Sequence, residues 1–373
     1  MRKIQMVDLK SQYDKIANEV DQAIKEVITN SSFINGPSVK EFKTALEEYL
    51  NVKHVIPCGN GTDALQIALM SLNLKPGDEV ITSTFTFIAT AEVITLLGLT
   101  PVFVDVDKNN YNISIEEIKK KITSKTKVIL PVHLYGQCAP MEEILLLAKL
   151  HNLHVIEDTA QAIGAKYKFK DGSFASAGTM GHIGTTSFFP SKNLGCYGDG
   201  GAIFTNNDKL AQKMSMIVNH GSKIKYHHEI IGLNSRLDSI QAAVLKIKLP
   251  LLNSYCEARL KAALQYNEGL KNIEWITTPL IMDYSTHVFH QYTMQINNGK
   301  RDELKEYLAN KGIPSMVYYP IPLHQQKAFK SFNQNTKFPV SDKLQSNVLS
   351  LPIHTELNEE TINFIIESLK EFK

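Results

Sequence analysis

Between residues 51 and 205, short apolar runs alternate with amphipathic stretches, and this alternation limits the possible folds more than any other feature. The runs are VITSTFTF, PVFVDVD, KVILPVHLYG, LHVIED, GTTSFFPSK and GAIFTNN; stretches of helical spacing such as 62–73 and 141–151 separate several of them. Strands that return through helices form a parallel-rich sheet covered on both faces, so the predicted class is α/β. Ahead of this region, Ile16, Val20, Ile24 and Val27 predict a helix from 10 to about 28, followed by a turn at SSFINGP where Gly36 and Pro37 break the pattern. Beyond Pro250 the pattern thins to two predicted strands, HVFHQYTMQI and IPSMVYY, and two capped helices, RDELKEYLANKG and NEETINFIIESLKEFK. A lobe boundary near 250 is expected. It leaves a large domain over 1–250, N-terminal helix included, and a smaller C-terminal α/β domain over 251–373, as suits 373 residues when single domains run to roughly 100–200.

Composition narrows the function. Forty Lys and Arg against 38 Asp and Glu leave a formal charge of +2, too small and too evenly spread to point to nucleic acid or an anionic membrane. The start, MRKIQMVDLKSQYDK, has no apolar stretch of signal-peptide length, and no later segment reaches the roughly 18 apolar residues of a membrane span, so a cytoplasmic protein is expected. Cys58, Cys138, Cys196 and Cys256 have neither zinc-knuckle nor redox-pair spacing and read as free thiols. The twelve histidines form no helical ligand pair, so no metal is expected.

The stretch TTSFFPSKNLGCYGDGGAIFTN carries the chemistry. Lys192 follows an apolar strand and precedes a loop holding Gly195, Gly198, Gly200 and Gly201. A surface lysine in a turn is the ordinary alternative. A buried approach and a glycine-dense loop favour a lysine that loses solvation, so that its pKa falls and it can form an imine with a carbonyl compound. Pyridoxal phosphate then enters, and it needs an anion site, a carboxylate for its ring nitrogen and an apolar surface.

The sequence offers each. Gly59 and Gly61 open a helix at GNGTDALQIALMSL with Thr62 as a candidate cap, and amides at a helix start attract a phosphate; an ordinary capped glycine turn would look the same. Asp158 closes the run LHVIED at the carboxyl end of a buried-looking strand, while Glu157 faces the other way. A carboxylate about 4 Å from a pyridinium gains about 4 kcal/mol at an effective dielectric near 20, enough to keep the ring protonated; a loop Asp capping a helix is the alternative. Phe85 and Phe87 end another predicted strand, alternating with Thr84 and Thr86, and offer either a ring-stacking face or core packing.

These segments, together with GDEVIT, FTFIATA, LPVHLYGQ, VIEDTAQAIGA, GLNSRLDSIQAAVL and YYPIPLH, resemble in content and order the DegT/DnrJ/StrS class of PLP-dependent sugar aminotransferases, over nearly the whole chain. The resemblance implies fold type I, the aspartate aminotransferase fold. It implies that Lys192 holds pyridoxal 5'-phosphate as an internal aldimine, that Asp158 meets the pyridine nitrogen and that Gln161 lies near the phenolic oxygen. It assigns Phe87 to the ring face, and Gly61, Thr62 and Ser187 to the phosphate. In similar enzymes Asn234 completes the phosphate site of the neighbouring subunit, which implies a homodimer with shared sites. The implied reaction moves nitrogen from an amino acid, by family habit glutamate, to a ketone on a nucleotide-linked sugar, with Lys192 as base.

Within the class the chain looks most similar to enzymes that aminate the 3-keto group of a UDP-linked N-acetyl hexuronate in polysaccharide or lipopolysaccharide synthesis. Arg236 suits a sugar carboxylate because its planar fork binds two oxygens; an ion pair with Asp238 or with the dimer partner is equally open. Tyr226 and His227, with Lys223 and Lys225, are candidates for the nucleotide diphosphate, or a solvated loop. The chain reads VYYPIPL where VHYPIPL is expected, so Tyr318 replaces a histidine beside Tyr319, and in similar enzymes this pair lies near the sugar, which implies that both bind substrate. This departure keeps a dTDP-linked 3-keto or 4-keto 6-deoxysugar as an alternative. A nicotinamide-dependent dehydrogenase fits poorly, because GDGGA lies between two strands and no early GxGxxG opens a helix. A non-enzymatic regulator on the same fold is the remaining rival, since function resides in the site.

Overall fold

The computed structural model describes residues 3–332 and 336–372. Met1 and Arg2 of the basic start, and Lys373 at the end of the last predicted helix, lie outside them. The large sheet has seven strands: β1 (His54–Cys58), β2 (Glu79–Ser83), β3 (Thr100–Val104), β4 (Thr126–Leu130), β5 (His154–Asp158), β6 (Ile183–Ser187) and β7 (Gly201–Thr205). Their order is β1-β7-β6-β5-β4-β2-β3. β2 through β6 pair in parallel, and β7 runs antiparallel to both β6 and β1. Because β1 to β6 point the same way, Cys58, Ser83, Val104, Leu130, Asp158 and Ser187 end along one rim, where open α/β sheets bind ligands.

Apolar clusters lie on both faces of this sheet. Leu65, Ala68 and Leu69 of the helix Gly61–Ser71 pack on Ile56, Val80 and Ile203, while Ile144 and Ala148 of the helix Met141–His151 pack with Ile81, Ile129 and Val155. A second sheet, antiparallel throughout, comprises β8 (Ile276–Thr277), β9 (Tyr292–Ile296) and β10 (Val348–Leu351). The helices Leu252–Leu270 and Glu359–Glu371 cover it through Ala263, Tyr266, Ile365 and Leu369. The first of these helices begins at Leu252 inside a large-sheet cluster with Leu245 and Leu249, so it joins the two cores.

Several local expectations change. The helix expected over 10–28 is two, Leu9–Asp14 and Ala17–Thr29; the break at SSFINGP follows as expected, and its Pro37 also occupies the first turn of the helix Pro37–Leu50, where its missing amide hydrogen costs nothing. IPSMVYY is not a strand: it has a single bridge, Met316 to Ser350, and prolines at 314 and 320 remove ladder donors. The strand that pairs with β9 along its length is β10. β2 stops at Ser83, leaving Phe85 and Phe87 in the loop beyond it. No helix among the described residues is long and apolar enough to cross a membrane.

Candidate active site

A cavity of about 580 Å³ opens at the rim formed by the carboxyl ends of the parallel strands. Its floor begins where β1 gives way to the helix Gly61–Ser71. Asn60 caps this helix, its side chain accepting from the Asp63 amide at 2.8 Å; Thr62 sits inside the first turn instead of capping. The first amides of a helix have no intrahelical acceptor, so Gly61 and Thr62 present N–H groups and the positive end of the dipole to the cavity. A Cβ at position 61 would lie 2.6 Å from the Cβ of Ser187. Only glycine lets the helix start approach the end of β6 this closely, and the resulting cradle of amides and hydroxyls suits a phosphate.

Asp158 is the last residue of β5 and is buried. Its Oδ1 accepts from the Ala160 amide at 3.1 Å and its Oδ2 from the Thr90 hydroxyl at 2.9 Å. Burial raises its pKa, opposed by these two hydrogen bonds and by the positive charge of Lys192. Adjacent Glu157 points to the other face of the sheet. It accepts from His133 Nε2 at 2.9 Å and from the amides of Gly178, Met180 and Gly181, pinning the turn before β6.

Lys192 follows β6 on a tight loop. Its amide donates to the Phe189 carbonyl at 2.8 Å, and a Cβ at Gly195 would meet the Pro190 carbonyl oxygen at 2.3 Å, so the loop closes only with glycine there. Asn193 donates to the Val288 carbonyl at 2.9 Å, and the buried Lys248 ammonium to the Gly195 carbonyl at 2.6 Å. The Lys192 ammonium faces the cavity within a shell of protein. Burial lowers its pKa to about 8, with Asp158 pulling the other way.

The remaining walls hold Phe87, 56% exposed, and the segment that carries Tyr318 and Tyr319. Gln161 is fixed at both ends: its Oε1 accepts from the Tyr135 amide at 2.6 Å and its Nε2 donates to the Tyr319 hydroxyl at 2.9 Å. Burial pushes the Tyr319 phenol up, so it stays neutral. Tyr319 packs against Phe85 and Phe87 at ring distances of 6.0 and 6.4 Å.

The cavity thus gathers Lys192, Asp158 and Gln161 with Gly61, Thr62 and Ser187, and Phe87 with Tyr318 and Tyr319. It does not gather Asn234, Arg236, Tyr226 or His227. Asn234 is exposed, in a bridge to Asn219. Arg236 donates to Asn219 Oδ1 at 2.9 Å and makes no ion pair with Asp238 among the described residues. Tyr226, 81% exposed, and His227 lie on the hairpin formed by 222–224 and 227–228. Thr90, His290 and Gln291 also belong to the site without having been candidates from the sequence. Thr90 bonds Asp158, and the other two line the cavity beside Lys192. The threonine of FTFIATA was within reach; nothing local marks the other two.

The pattern of the DegT/DnrJ/EryC1/StrS aminotransferase family matches residues 14–370. A Geobacillus stearothermophilus protein named pleiotropic regulatory protein is 47% identical over 372 residues, 99% of this chain and 98% of that one. The UDP-2-acetamido-2-deoxy-3-oxo-D-glucuronate aminotransferase of Pseudomonas aeruginosa is 44% identical over 366 residues, 98% of this chain and 99% of that one. The crystal structure of DesV from S. venezuelae in complex with a ketimine intermediate superposes with a TM-score of 0.95 at 36% identity, covering 100% of this chain and 98% of that one.

Proposed function

Since the chain belongs to the DegT/DnrJ/EryC1/StrS aminotransferase family, we propose that it transfers an amino group, with glutamate as donor, to the 3-keto carbon of a UDP-linked N-acetyl hexuronate for polysaccharide synthesis, using pyridoxal phosphate attached covalently to Lys192. The observation that carries this reading is one cavity that presents a lysine with its pKa lowered to about 8 together with a buried carboxylate. The 44% likeness to a UDP-3-oxo-glucuronate aminotransferase supports the substrate.

The residues present fit the cofactor. The Gly61 and Thr62 amides with Ser187 suit its phosphate, Phe87 its ring face and Asp158 its ring nitrogen. Gln161 has spent one of its two amide hydrogens on Tyr319 and retains the other for a phenolic oxygen. Asp158 has spent one lone pair on each oxygen and keeps others for a ring N–H. When bound, pyridoxal phosphate supplies a carbonyl that takes up the donor nitrogen and a ring that withdraws electrons from the substrate carbon.

Lys192 is suited to two tasks. A free lysine with a pKa of 10.4 is neutral about once in a thousand at pH 7.5, whereas one titrating near 8 is neutral about a quarter of the time. The neutral amine can attack a carbonyl, and after release it can carry a proton to and from a substrate carbon. A half-buried lysine of lowered pKa sharing a cavity with a buried carboxylate suits catalysis and favours the enzyme over a purely regulatory protein.

The reading includes a homodimer in which Asn234 of one subunit completes the phosphate site of the other and Arg236 meets the sugar carboxylate. Supporting it, Ile224, Tyr226 and Ile231 lie exposed on the segment leading to Asn234, and Phe33 and Ile34 lie exposed next to Asp238. Apolar side chains grouped in this way favour burial against a second copy. The test is spectroscopic. The purified protein with pyridoxal phosphate should show a visible band that glutamate bleaches and a UDP-linked 3-keto hexuronate restores. Restoration only by dTDP-linked 6-deoxy keto-sugars would move the assignment to the alternative that Tyr318 keeps open; a colourless, unreactive protein would end it.

A further inference from the structure

The helix Pro339–Asn347 begins without a cap of its own. Phe338 precedes it and makes no capping side-chain bond, and Pro339 has no amide hydrogen. The next two amides go to Asp105, one residue past β3. Its Oδ2 accepts from Val340 at 2.8 Å, and its Oδ1 accepts from the Ser341 amide at 2.9 Å and from the Ser341 hydroxyl at 2.5 Å. Asp105 is 5% exposed and makes no ion pair among the described residues. A buried carboxylate in that position is stabilised by amide donors and the positive helix end, so the large sheet caps a helix of the second lobe.

The same helix is also tied to the end of β2. Asp342 Oδ1 accepts from His324 Nε2 at 2.9 Å and from Gln325 Nε2 at 2.8 Å. His324 in turn meets Thr84, one residue past β2: its amide donates to Thr84 Oγ1 at 3.1 Å, and Oγ1 lies 2.8 Å from Nδ1. The Leu323 amide donates to the Thr84 carbonyl at 2.8 Å. The Asp342 carboxylate only accepts, so Nε2 carries the ring hydrogen. Burial lowers the pKa of His324, and Nδ1 of the neutral ring accepts the Thr84 hydroxyl hydrogen. A continuous set of contacts therefore runs from Asp105 through the helix to Asp342, His324 and Thr84. Val340 and Leu344 of this helix share an apolar cluster with Tyr318 and Tyr319, which line the cavity just ahead of Leu323 in the chain.

We propose that Asp105 and His324 are positioning residues for the sugar half of the reaction: they fasten the Tyr318–Tyr319 wall to the ends of β2 and β3 and so fix the space left for the keto-sugar. Neither residue touches the cavity, and both act through the tyrosines. The inference rests on the sugar-aminotransferase reading.

The two half-reactions of the holoenzyme, glutamate loading and discharge to the UDP-linked 3-keto hexuronate, separate this role from a structural one. Asp105→Asn, His324→Gln and Thr84→Val should raise the half-saturating keto-sugar concentration about tenfold or more. Cofactor retention and the glutamate half should stay within about threefold of the parent, and Thr84→Ser should restore the sugar half. Should Asp105→Asn fail to fold, the Thr84→Val and Thr84→Ser pair carries the test. Equal losses in both halves, or unchanged sugar saturation in Thr84→Val and His324→Gln, would overturn the proposal. A parent enzyme inert toward glutamate and toward every keto-sugar would instead overturn the reading beneath it.

Discussion

The hydroxyl of Thr90 donates to Asp158 Oδ2 across 2.9 Å, with both side chains buried. Without that donor the carboxylate keeps only the Ala160 amide, and burial raises its pKa further. Thr90→Val should weaken pyridoxal phosphate binding about tenfold, by analogy with the roughly 1–3 kcal/mol attached to an unsatisfied buried polar group. Thr90→Ser should hold it within about twofold. Titrating the apo protein with cofactor and following the visible band checks both.

Lys192 links stability to pH. Its pKa falls from 10.5 unfolded to about 8 folded, so between those values the unfolded chain binds more protons and stability rises with pH. Below pH 8 the full cost of burying the ammonium is present. Lys192→Met removes that cost, and at pH 7 the apo variant should be more stable by about 2–3 kcal/mol. The advantage should shrink from pH 8 upward and vanish above about 10.5, as denaturant midpoints across that range will show. The same variant should lose covalent cofactor attachment and both half-reactions.

The charge of Asp158 raises the pKa of Lys192, so removing it has a definite sign. In Asp158→Asn, Lys192 should titrate lower than about 8. The pH dependence of pyridoxal phosphate capture by the apo variant should shift to the acid side, even as the affinity for cofactor falls. An unchanged pH dependence would mean that the two side chains do not interact, and a shift to higher pH would contradict the sign.

Acid should unfold the protein earlier than its surface charge implies. Burial lowers His287 to about 3 and His354 to about 4, and lowers His290 as well. Each stays neutral in the folded state while the unfolded chain takes up a proton below about 6.5, so stability is lost as pH falls from there toward 4. Each histidine contributes a slope of up to about 1.4 kcal/mol per pH unit. His354→Gln should reduce that slope by about one proton in a melting series between pH 6.5 and 4.

Local patterns made the rim of the sheet legible from sequence. Asp158, Ser187 and the glycine turn at 59–61 each sit where an apolar run stops, and a strand end in an α/β sheet is also a position in space. What stayed hidden depends on contacts between distant segments. Thr90 and Asp158 are 68 residues apart, and His290 reaches the cavity through a strap tied to Asn193 and Arg259. IPSMVYY misled because an apolar run does not distinguish a strand from a wall held by side chains such as Tyr135, whose hydroxyl donates to the Tyr318 carbonyl. Thr62 misled because Asn60, two residues earlier, is an equally good cap.

Glu157 and Asp158 are adjacent carboxylates on opposite faces of β5, and that placement separates stability from chemistry. Glu157 accepts four hydrogen bonds, from His133 and from the amides of Gly178, Met180 and Gly181, and does not line the cavity. In Glu157→Gln one oxygen becomes an NH2 that faces donors, so some of those bonds turn into donor–donor contacts. A loss of about 2–4 kcal/mol should follow, as expected when buried charged hydrogen bonds break. Asp158→Asn should show the reverse: a melting temperature near that of the parent, because burial already works against its charge, and a much weaker and spectrally altered cofactor complex. Measuring melting temperature and cofactor spectrum on both variants tests the division, and it fails if Glu157→Gln changes the spectrum while leaving the melting temperature alone.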